Sequence, residues 1–511
     1  MTLKRDGATR SIWQVSLDSY QPVNTWNKDQ TFDVLIVGGG ITGLTTALLL
    51  QSQGKKCILA EAYNICFGTT GGTTAHLNTV LDNSYDHIES DFGKDGAKLV
   101  ASGTREAIDL VESLVSKYAI DADFSYEPGF LFATTEEEVN HLEKIVDASK
   151  RAGVVTTWID HVPIPVPYQK ACRFEFQARI HASKYVTGLA HAFEAAGGVL
   201  LQQCTVNSVE NSQQFLADTS LGKIKADKVV YATHIPPGIN ILHFRCAPYR
   251  SYVQAFTLKS GTLPTGLIYD MKDPYNYYRT QLLNGKEYIL AGGFDHKTGH
   301  ETNTDRVFVE QEAYLRQYFD IDSIDYKWSS QYFTSADGLP YIGTLPGHDN
   351  IYVGTGYSGN GITLGTLAAK IICELITNGE SKYESLFKPS RIKPIAGFTE
   401  FIKENADVIS QFIGLRFSYE QINALAELAP GEATLAKWEG KKVALYKDEK
   451  GKIHALDPVC PHAKCIVVWN SSEQSWDCPC HGSRFACNGA LLTGPARTGL
   501  MQIKWEDIEG D

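Results

Sequence analysis

The first thirty residues of this chain, MTLKRDGATR SIWQVSLDSY QPVNTWNKDQ, lack an apolar core, so no secretory signal peptide is expected. They also lack an adjacent Arg pair, which argues against a twin-Arg export signal. Long uncharged apolar runs are missing. Leu35–Leu50 is broken by glycines and Gly361–Ile376 by Lys370, and neither reaches the ~18 residues of a spanning helix. Basic excess is missing too. With 47 Lys+Arg against 59 Asp+Glu the formal net charge is −12, which argues against a nucleic-acid partner, because holding backbone phosphates requires a basic surface. Tandem repeats and low-complexity segments are absent. These absences lead us to expect a cytoplasmic globular protein with no membrane span.

What is present is a long chain with one crowded region. Its 511 residues exceed a single core and suggest about three compact units. Hydrophobic content of 43% and charged content of 21% are ordinary for globular proteins. Of eleven cysteines, six are scattered singly between positions 57 and 373, and five crowd together as Cys460, Cys465, Cys478, Cys480 and Cys487. Clustered Cys and His in a cytoplasmic chain point to metal binding before disulfide stapling.

Residues 32–62 read as strand, glycine turn, helix and strand: Phe32–Val37, then Thr42–Gln53, then Cys57–Ala60. Helical spacing is expected over 85–118, 136–152, 183–196 and 363–376, and strands over 129–134, 199–206, 228–232 and 350–354. From Tyr249 to Tyr332 the pattern alternates and is rich in aromatics, as in an antiparallel sheet. Composition shifts at Lys388–Pro394, and a helical linker is expected near 398–413. After Tyr419 come short strands and turns, the pattern of a small all-β domain.

The segment Gly38-Gly39-Gly40-Ile41-Thr42-Gly43 is a G-x-G-x-x-G between predicted strand and predicted helix, and Glu61 follows eighteen residues after Gly43. Gly38 permits the tight turn, Gly40 lets backbone approach a pyrophosphate, and Gly43 lets helix close on strand. The helix N-terminus, Ile41 and Thr42, offers free N–H groups to phosphate. Glu61 suits a ribose hydroxyl. The motif alone does not separate FAD from NAD.

Further along, Gly68 to Thr74 (GTTGGTT, including Thr69, Thr70, Gly71, Gly72, Thr73 and Thr74), Lys228 to Thr233 (KVVYAT), Asp337 to Gly343 (DGLPYIG) and Gly354 to Thr363 (GTGYSGNGIT) follow in order. Over roughly residues 30–380 this arrangement resembles the FAD-dependent oxidoreductases of the D-amino-acid oxidase and glycine/sarcosine oxidase family. The resemblance implies FAD, with the Gly68–Thr74 loop against the flavin, Val206 at the adenine, and Ala232 and Thr233 on the returning strand. It also implies that Gly343, Gly356, Gly359, Asn360, Gly361, Ile362 and Thr363 close the site. There a helix N-terminus faces the pyrimidine end of the flavin and favours the charge of the reduced ring. Gly72-Thr73-Thr74-Ala75-His76 is similar to the Gly-Thr-Thr-x-His of dimethylglycine and sarcosine dehydrogenases, whose His is bonded to flavin. His76 is thus a candidate for covalent attachment, and a noncovalent loop His is the alternative.

Cys460-Pro461-His462 and Cys478-Pro479-Cys480-His481 form C-x-H and C-x-x-H halves with fifteen residues between His462 and Cys478. Each half offers one thiolate and one imidazole. A Cys₂His₂ zinc site has the same donors but pairs Cys with Cys and His with His, whereas two thiolates on one iron and two imidazoles on the other suit a [2Fe–2S] centre. Residues 420–511 resemble the Rieske domains. That resemblance implies a Cys465–Cys480 disulfide between the two loops, a Ser483 hydroxyl directed at a cluster sulfur, and a shielding loop at Gly494-Pro495-Ala496. Phe485 departs from the Tyr of many high-potential members, which removes a hydrogen bond and lowers the expected potential. Cys487 is expected to be a free thiol.

The expected architecture is therefore α/β. A Rossmann-like FAD-binding domain (about 30–85, 180–240 and 330–385) and an antiparallel-sheet substrate domain (about 86–179 and 241–329) share residues 1–395. A linker over 396–419 and an all-β Rieske domain over 420–511 follow. No second dinucleotide fingerprint and no 2-His-1-carboxylate iron motif is found, which disfavours NAD(P)H as donor and excludes a Rieske oxygenase. The family resemblance implies an amine or amino acid oxidised at the C–N bond, with electrons leaving through the cluster to an external acceptor of ferredoxin, cytochrome or quinone type. Tyr277, Tyr278, Arg279, His296 and Lys297 are candidate pocket residues, Arg279 as a carboxylate clamp. Around Ile289-Leu290-Ala291 no Lys matches the oxygen-activating Lys of family oxidases, which favours a dehydrogenase. A donor-driven reductase feeding a partner enzyme and a redox sensor are the alternatives.

Overall fold

The computed structural model describes residues 3–15, 18–211, 213–391, 420–421, 428–438 and 441–503. Its first sheet runs in the order Tyr341–Thr344, Ile351–Thr355, Gly222–Tyr231, Thr31–Val37, Cys57–Ala60, Val199–Leu201. All neighbours but the first pair are parallel. Val34 to Val37 and Cys57 to Ala60 are buried throughout, as parallel strands covered on both faces must be. The helices Ile41–Ser52, Ala182–Ala195 and Gly361–Asn378 supply cover. Gly361–Asn378 is the one helix among the described residues long and apolar enough to cross a membrane, but it is mostly buried here, against Ile41–Ser52. The strand expected over 199–206 ends at Leu201 and a separate one, Val206–Asn211, pairs with Phe215–Thr219.

The second sheet holds nine strands, with Ile321–Ser335, Cys246–Leu258, Lys286–Lys297 and Tyr277–Leu283 as an antiparallel run. The expected alternation is present there, with one exception to antiparallel pairing: Leu267–Asp270 lies parallel to Ser125–Ala133. A helix, Thr304–Leu315, interrupts the run. The short strand His76–Leu77 joins this sheet's far edge beside Lys170–Arg179, so the loop after Gly72 carries His76 from one sheet to the other. The long helix Tyr85–Lys117 breaks at Gly93, whose φ of +77° is a conformation glycine adopts at little cost.

The third unit has two four-stranded sheets, Glu420–Gln421 with Ala433–Trp438, Lys441–Lys447 and Ile453–Leu456, and Val468–Asn470 with Ser475–Asp477, Arg484–Ala486 and Leu491–Thr493. The helical linker expected near 398–413 lies outside the described residues.

A buried network of charges fastens this unit to the others. Arg5 Nη1 lies 2.8 Å from Glu473, Arg250 Nη2 3.2 Å from Asp477, and Arg484 bridges Asp6 at 2.8 Å and Asp477 at 3.1 Å. All six side chains are almost fully buried. Glu473 also accepts the backbone N–H and the hydroxyl of Ser329, at 2.7 and 2.8 Å. Three cations thus face three anions, contributed by the N-terminal segment, the second sheet and the β domain. Against the upward push of burial, Arg5 and Arg250 hold the Glu473 carboxyl low, and Arg484 and Arg250 do the same for Asp477.

Removing one member leaves its partners buried and uncompensated, at a cost of about 3–5 kcal/mol. Arg484→Met is expected to lose stability on that scale in chemical denaturation of the holoprotein. The folded-state carboxyl values lie below the unfolded ones, so the network's stabilisation is present above the unfolded value of about 4 and is lost as pH falls further. Wild type but not Arg484→Met should show the larger share of that acid-dependent loss.

Candidate active site and cluster site

A cavity of about 530 Å³ runs between the two large sheets and under the β domain. Its first end is the glycine turn. Gly38 has φ +112°, and a Cβ there would come within 2.5 Å of Ala232 O. A Cβ on Gly43 would collide with Gly38 O. Glu61 accepts the N–H of Gly39 at 2.6 Å and of Tyr63 at 2.9 Å, which fixes its carboxylate beside the turn. Burial pushes that carboxyl up, against the pull of these N–H groups. Gly38, Gly40, Ile41, Thr42, Glu61, Val206, Ala232 and Thr233 all line this end. A cradle that admits no Cβ, an open helix N-terminus and a placed acid fit the ADP half of FAD.

The cavity continues past Thr69, Thr70, Gly72, Thr73 and Thr74, and past Gly359, Asn360, Gly361 and Ile362. Asn360 accepts the N–H of Asp82 at 3.0 Å, and Thr363 that of Asn78 at 3.0 Å. Gly43, Gly71, Gly343, Gly356 and Thr363 stand behind the wall and shape it. Gly71 O accepts the Ser11 hydroxyl at 2.6 Å. Gly343 backs onto Pro389, and Gly356 onto Ser335 and Cys246.

Of the candidate pocket residues, Tyr277 lines the cavity and the others do not. Tyr278 points to the opposite face of its strand and is buried among Phe130, Phe256 and Phe319. Arg279 is fully buried; it donates to Thr74 O, Ala75 O and Ile180 O at 3.0–3.2 Å and to Gln281. It ties down the Thr74–Ala75 segment beside the cavity and is no carboxylate clamp. His296 bonds Tyr252 at 2.8 Å and Lys297 O at 2.9 Å. Lys297 sits near His481, on the side of the β domain. Period-2 alternation explains Tyr278 and His296, which neighbour the cavity-lining Tyr277 and Asp295 on the opposite strand face; Arg279 shares the face of Tyr277 but is drawn off by its backbone carbonyl partners.

His76 lines the cavity, with Nδ1 2.6 Å from Tyr269 Oη and Nε2 buried without a partner. Burial, then the charge of Arg279, holds it well below its usual range, so the ring is neutral.

The four candidate cluster ligands converge on two loop tips. Cys460 N–H donates to Cys465 O at 2.8 Å, and Cys478 N–H to Ser483 O at 2.8 Å. The Cys460 and Cys478 thiols lie within hydrogen-bond reach of each other, and the His462 and His481 rings are 5.0 Å apart. Nδ1 of both histidines is buried and unpartnered, and burial favours the neutral, iron-binding form of each. Two thiols and two orphaned imidazole nitrogens in one buried pocket fit a [2Fe–2S] cluster. Cys465 and Cys480 are joined by a disulfide, with Cα atoms 6.5 Å apart, and Cys487 is free. Ser483 accepts the Ala496 N–H at 2.9 Å and reaches the Cys460 sulfur. Phe485 is fully buried beside the ligands.

Sequence reasoning missed three contributors. The segment Ala490–Gly499 shields the cluster but also walls the FAD cavity, and Tyr63 donates to Leu491 O across that seam. Asp6 lines the cavity too. His243, from the loop after Tyr231, places Nδ1 3.0 Å from His462 Nε2 and Nε2 2.8 Å from Pro236 O. No motif marks Asp6 or His243, and the Gly494-Pro495-Ala496 pattern points to the cluster alone, because the contacts to the cavity and to His462 form only when distant segments of the chain pack together.

Residues 33–375 match the FAD dependent oxidoreductase family, and residues 419–504 the Rieske [2Fe-2S] domain. The chain belongs to the FAD dependent oxidoreductase family and carries a C-terminal Rieske domain, so it is an FAD-dependent oxidoreductase with a [2Fe–2S] cluster. YhfW of Bacillus subtilis (strain 168), named as a Rieske 2Fe-2S iron-sulfur protein, is 31% identical over 500 residues, covering 97% of this chain and 98% of its own. Gamma-glutamylputrescine oxidoreductase of Escherichia coli (strain K12) is 27% identical over 393 residues, covering 74% of this chain and 91% of its own. The crystal structure of glycine oxidase from Geobacillus kaustophilus shares the fold, with a TM-score of 0.59 at 19% identity over 71% of this chain and 99% of that one.

His481→Ala is expected to yield protein with a full flavin spectrum and no iron–sulfur EPR signal. Retention of the signal at wild-type intensity would remove His481 from the ligand set.

Proposed function

We propose that this protein dehydrogenates an amine or amino acid at a C–N bond and passes the electrons through its own Rieske cluster to an external acceptor of ferredoxin, cytochrome or quinone type. The observation that carries this reading is that one residue layer separates the FAD cavity from the cluster loops. Gln331 lines the cavity, its backbone O accepts the Thr69 hydroxyl at 2.8 Å, and its side-chain amide donates to Gly482 O at 2.9 Å. Gly482 adjoins the ligand His481. Phe333 also lines the cavity, and its ring abuts Gly482.

Bound FAD supplies an acceptor for two electrons that can be released one at a time. The chain's residues hold and seal it: the Thr69–Thr74 loop on one side and Ala490–Gly499 on the other. Among the described residues lining the cavity there is no lysine, which supports a dehydrogenase over an oxygen-reducing oxidase. His462 is partly exposed, and an acceptor approaches it beside the groups that hold its Nε2. Its neighbours Gly238 and His243 belong to a loop that exposes Ile239, Ile241 and Phe244.

Anaerobic stopped-flow tests the reading. An amine or amino-acid panel should bleach the flavin, with cluster reduction following, while NADH and NADPH should not. After photoreduction, transfer to the cluster should be independent of protein concentration and slower in Gln331→Ala; no transfer within the chain would defeat the proposal. His76 is the residue for a covalent link, since it lines the cavity and its Nε2 has no hydrogen-bond partner. On acid precipitation, flavin that pellets with wild type and is released by His76→Ala establishes the bond, whereas flavin wholly in the wild-type supernatant makes His76 a noncovalent wall residue.

A further inference from the structure

The end of the cavity away from the glycine turn is walled by the second sheet, and it is shaped for positive charge. Tyr269, Tyr275, Tyr277 and Tyr332 line it, with ring centroids 6.4 Å apart for Tyr269–Tyr275 and 5.8 Å for Tyr275–Tyr277. Tyrosine rings attract cations placed over them. Asp295 lines the same end; Tyr332 donates to its Oδ2 at 2.8 Å, while its Oδ1 is buried with no hydrogen-bond partner. Behind it, Asp82 accepts the Tyr275 hydroxyl at 3.0 Å. A carboxylate clamp requires a guanidinium or ammonium. Arg279, the candidate, is spent on backbone carbonyls. The one Arg or Lys among the described lining residues is Arg497, in the Ala490–Gly499 segment that meets Tyr63 at the nucleotide end.

We propose that this end binds a cationic amine with no carboxylate on its reacting carbon, a simple, N-alkylated or terminal di-amine, with Asp295 as counter-ion and proton acceptor. The inference rests on the amine-oxidation reading and narrows it. Asp295 takes the ammonium proton, so an N–H bond breaks, an O–H bond forms and a neutral nitrogen lone pair is left. Bound FAD would supply the two-electron acceptor for the C–H hydride as C=N forms. Burial, despite the Ser251 and Tyr332 hydroxyls and with help from the charges of Asp82 and Asp273, raises the Asp295 carboxyl to about 7, suited to this exchange. The groups facing it are Tyr275, Tyr277 and Tyr332, all held un-ionised, with Asp82 and Asp273.

Titrating the oxidised holoenzyme with tetramethylammonium and with acetate, read by flavin absorbance, tests the site without turnover. Tetramethylammonium should bind and acetate should not. Its affinity should rise roughly tenfold from pH 6 to pH 8 as Asp295 ionises, and Asp295→Asn should abolish that rise. Equal or stronger binding of acetate, or an unchanged rise in Asp295→Asn, overturns the proposal. Anaerobic bleaching by an α-amino acid but not by the amine lacking its carboxylate also overturns it, while leaving dehydrogenation standing. Cation binding with no bleaching by any amine or amino acid supports the site and sinks the reaction reading instead.

Discussion

Everything distinctive about this molecule depends on six buried charges. Arg5, Arg250 and Arg484 meet Asp6, Glu473 and Asp477 at a point where three parts of the chain join. Charges taken out of water are costly unless each is matched, so such a network tolerates few alternative arrangements. The Rieske unit is held in one pose against the flavoprotein, and the N-terminal segment is the third piece of the joint.

That pose makes one cavity out of two domains. Ala490–Gly499 belongs to the cluster domain by sequence and to the flavin site by position. Gln331 hydrogen-bonds to the flavin-facing loop through its backbone and to the cluster loop through its side chain. His243, from the flavoprotein, reaches a cluster ligand in the opposite direction. A flexibly tethered carrier would share none of these contacts. The short path between the two cofactor sites is thus a property of the docked chain, and neither domain has it alone.

Legibility in the sequence followed the range of the interactions. The strand–turn–helix at Gly38–Gly43 was readable because steric demands on glycine act over a few residues and the contact of Glu61 with Gly39 spans only 22. The four candidate cluster ligands were readable because each loop carries its own thiol and imidazole. The pocket residues were not. Tyr277, Tyr278 and Arg279 are adjacent in sequence, yet Tyr277 faces the cavity, Tyr278 faces an aromatic core and Arg279 caps carbonyls of two segments, one 204 to 205 residues away and one 99 residues away. An arginine in an aromatic strand looks like a clamp until its carbonyl partners are seen. Asp295 and Tyr332, which line the candidate cation site, carry no motif at all.

The sequence by itself marked a dinucleotide site and a cluster site, because each is written as a local motif whose chemistry fixes residue type and spacing, and the order of the later segments singled out FAD. It also determined most of the secondary structure, where apolar periodicity is strong. Only the tertiary structure decided which side chains face the candidate substrate end, that no Lys or Arg stands there among the described lining residues, and that the Ala490–Gly499 segment of the C-terminal domain closes the cavity. Those features depend on strand facing, on hydrogen bonds between distant segments and on a matched set of buried charges, and each of these is defined only when remote parts of the chain meet.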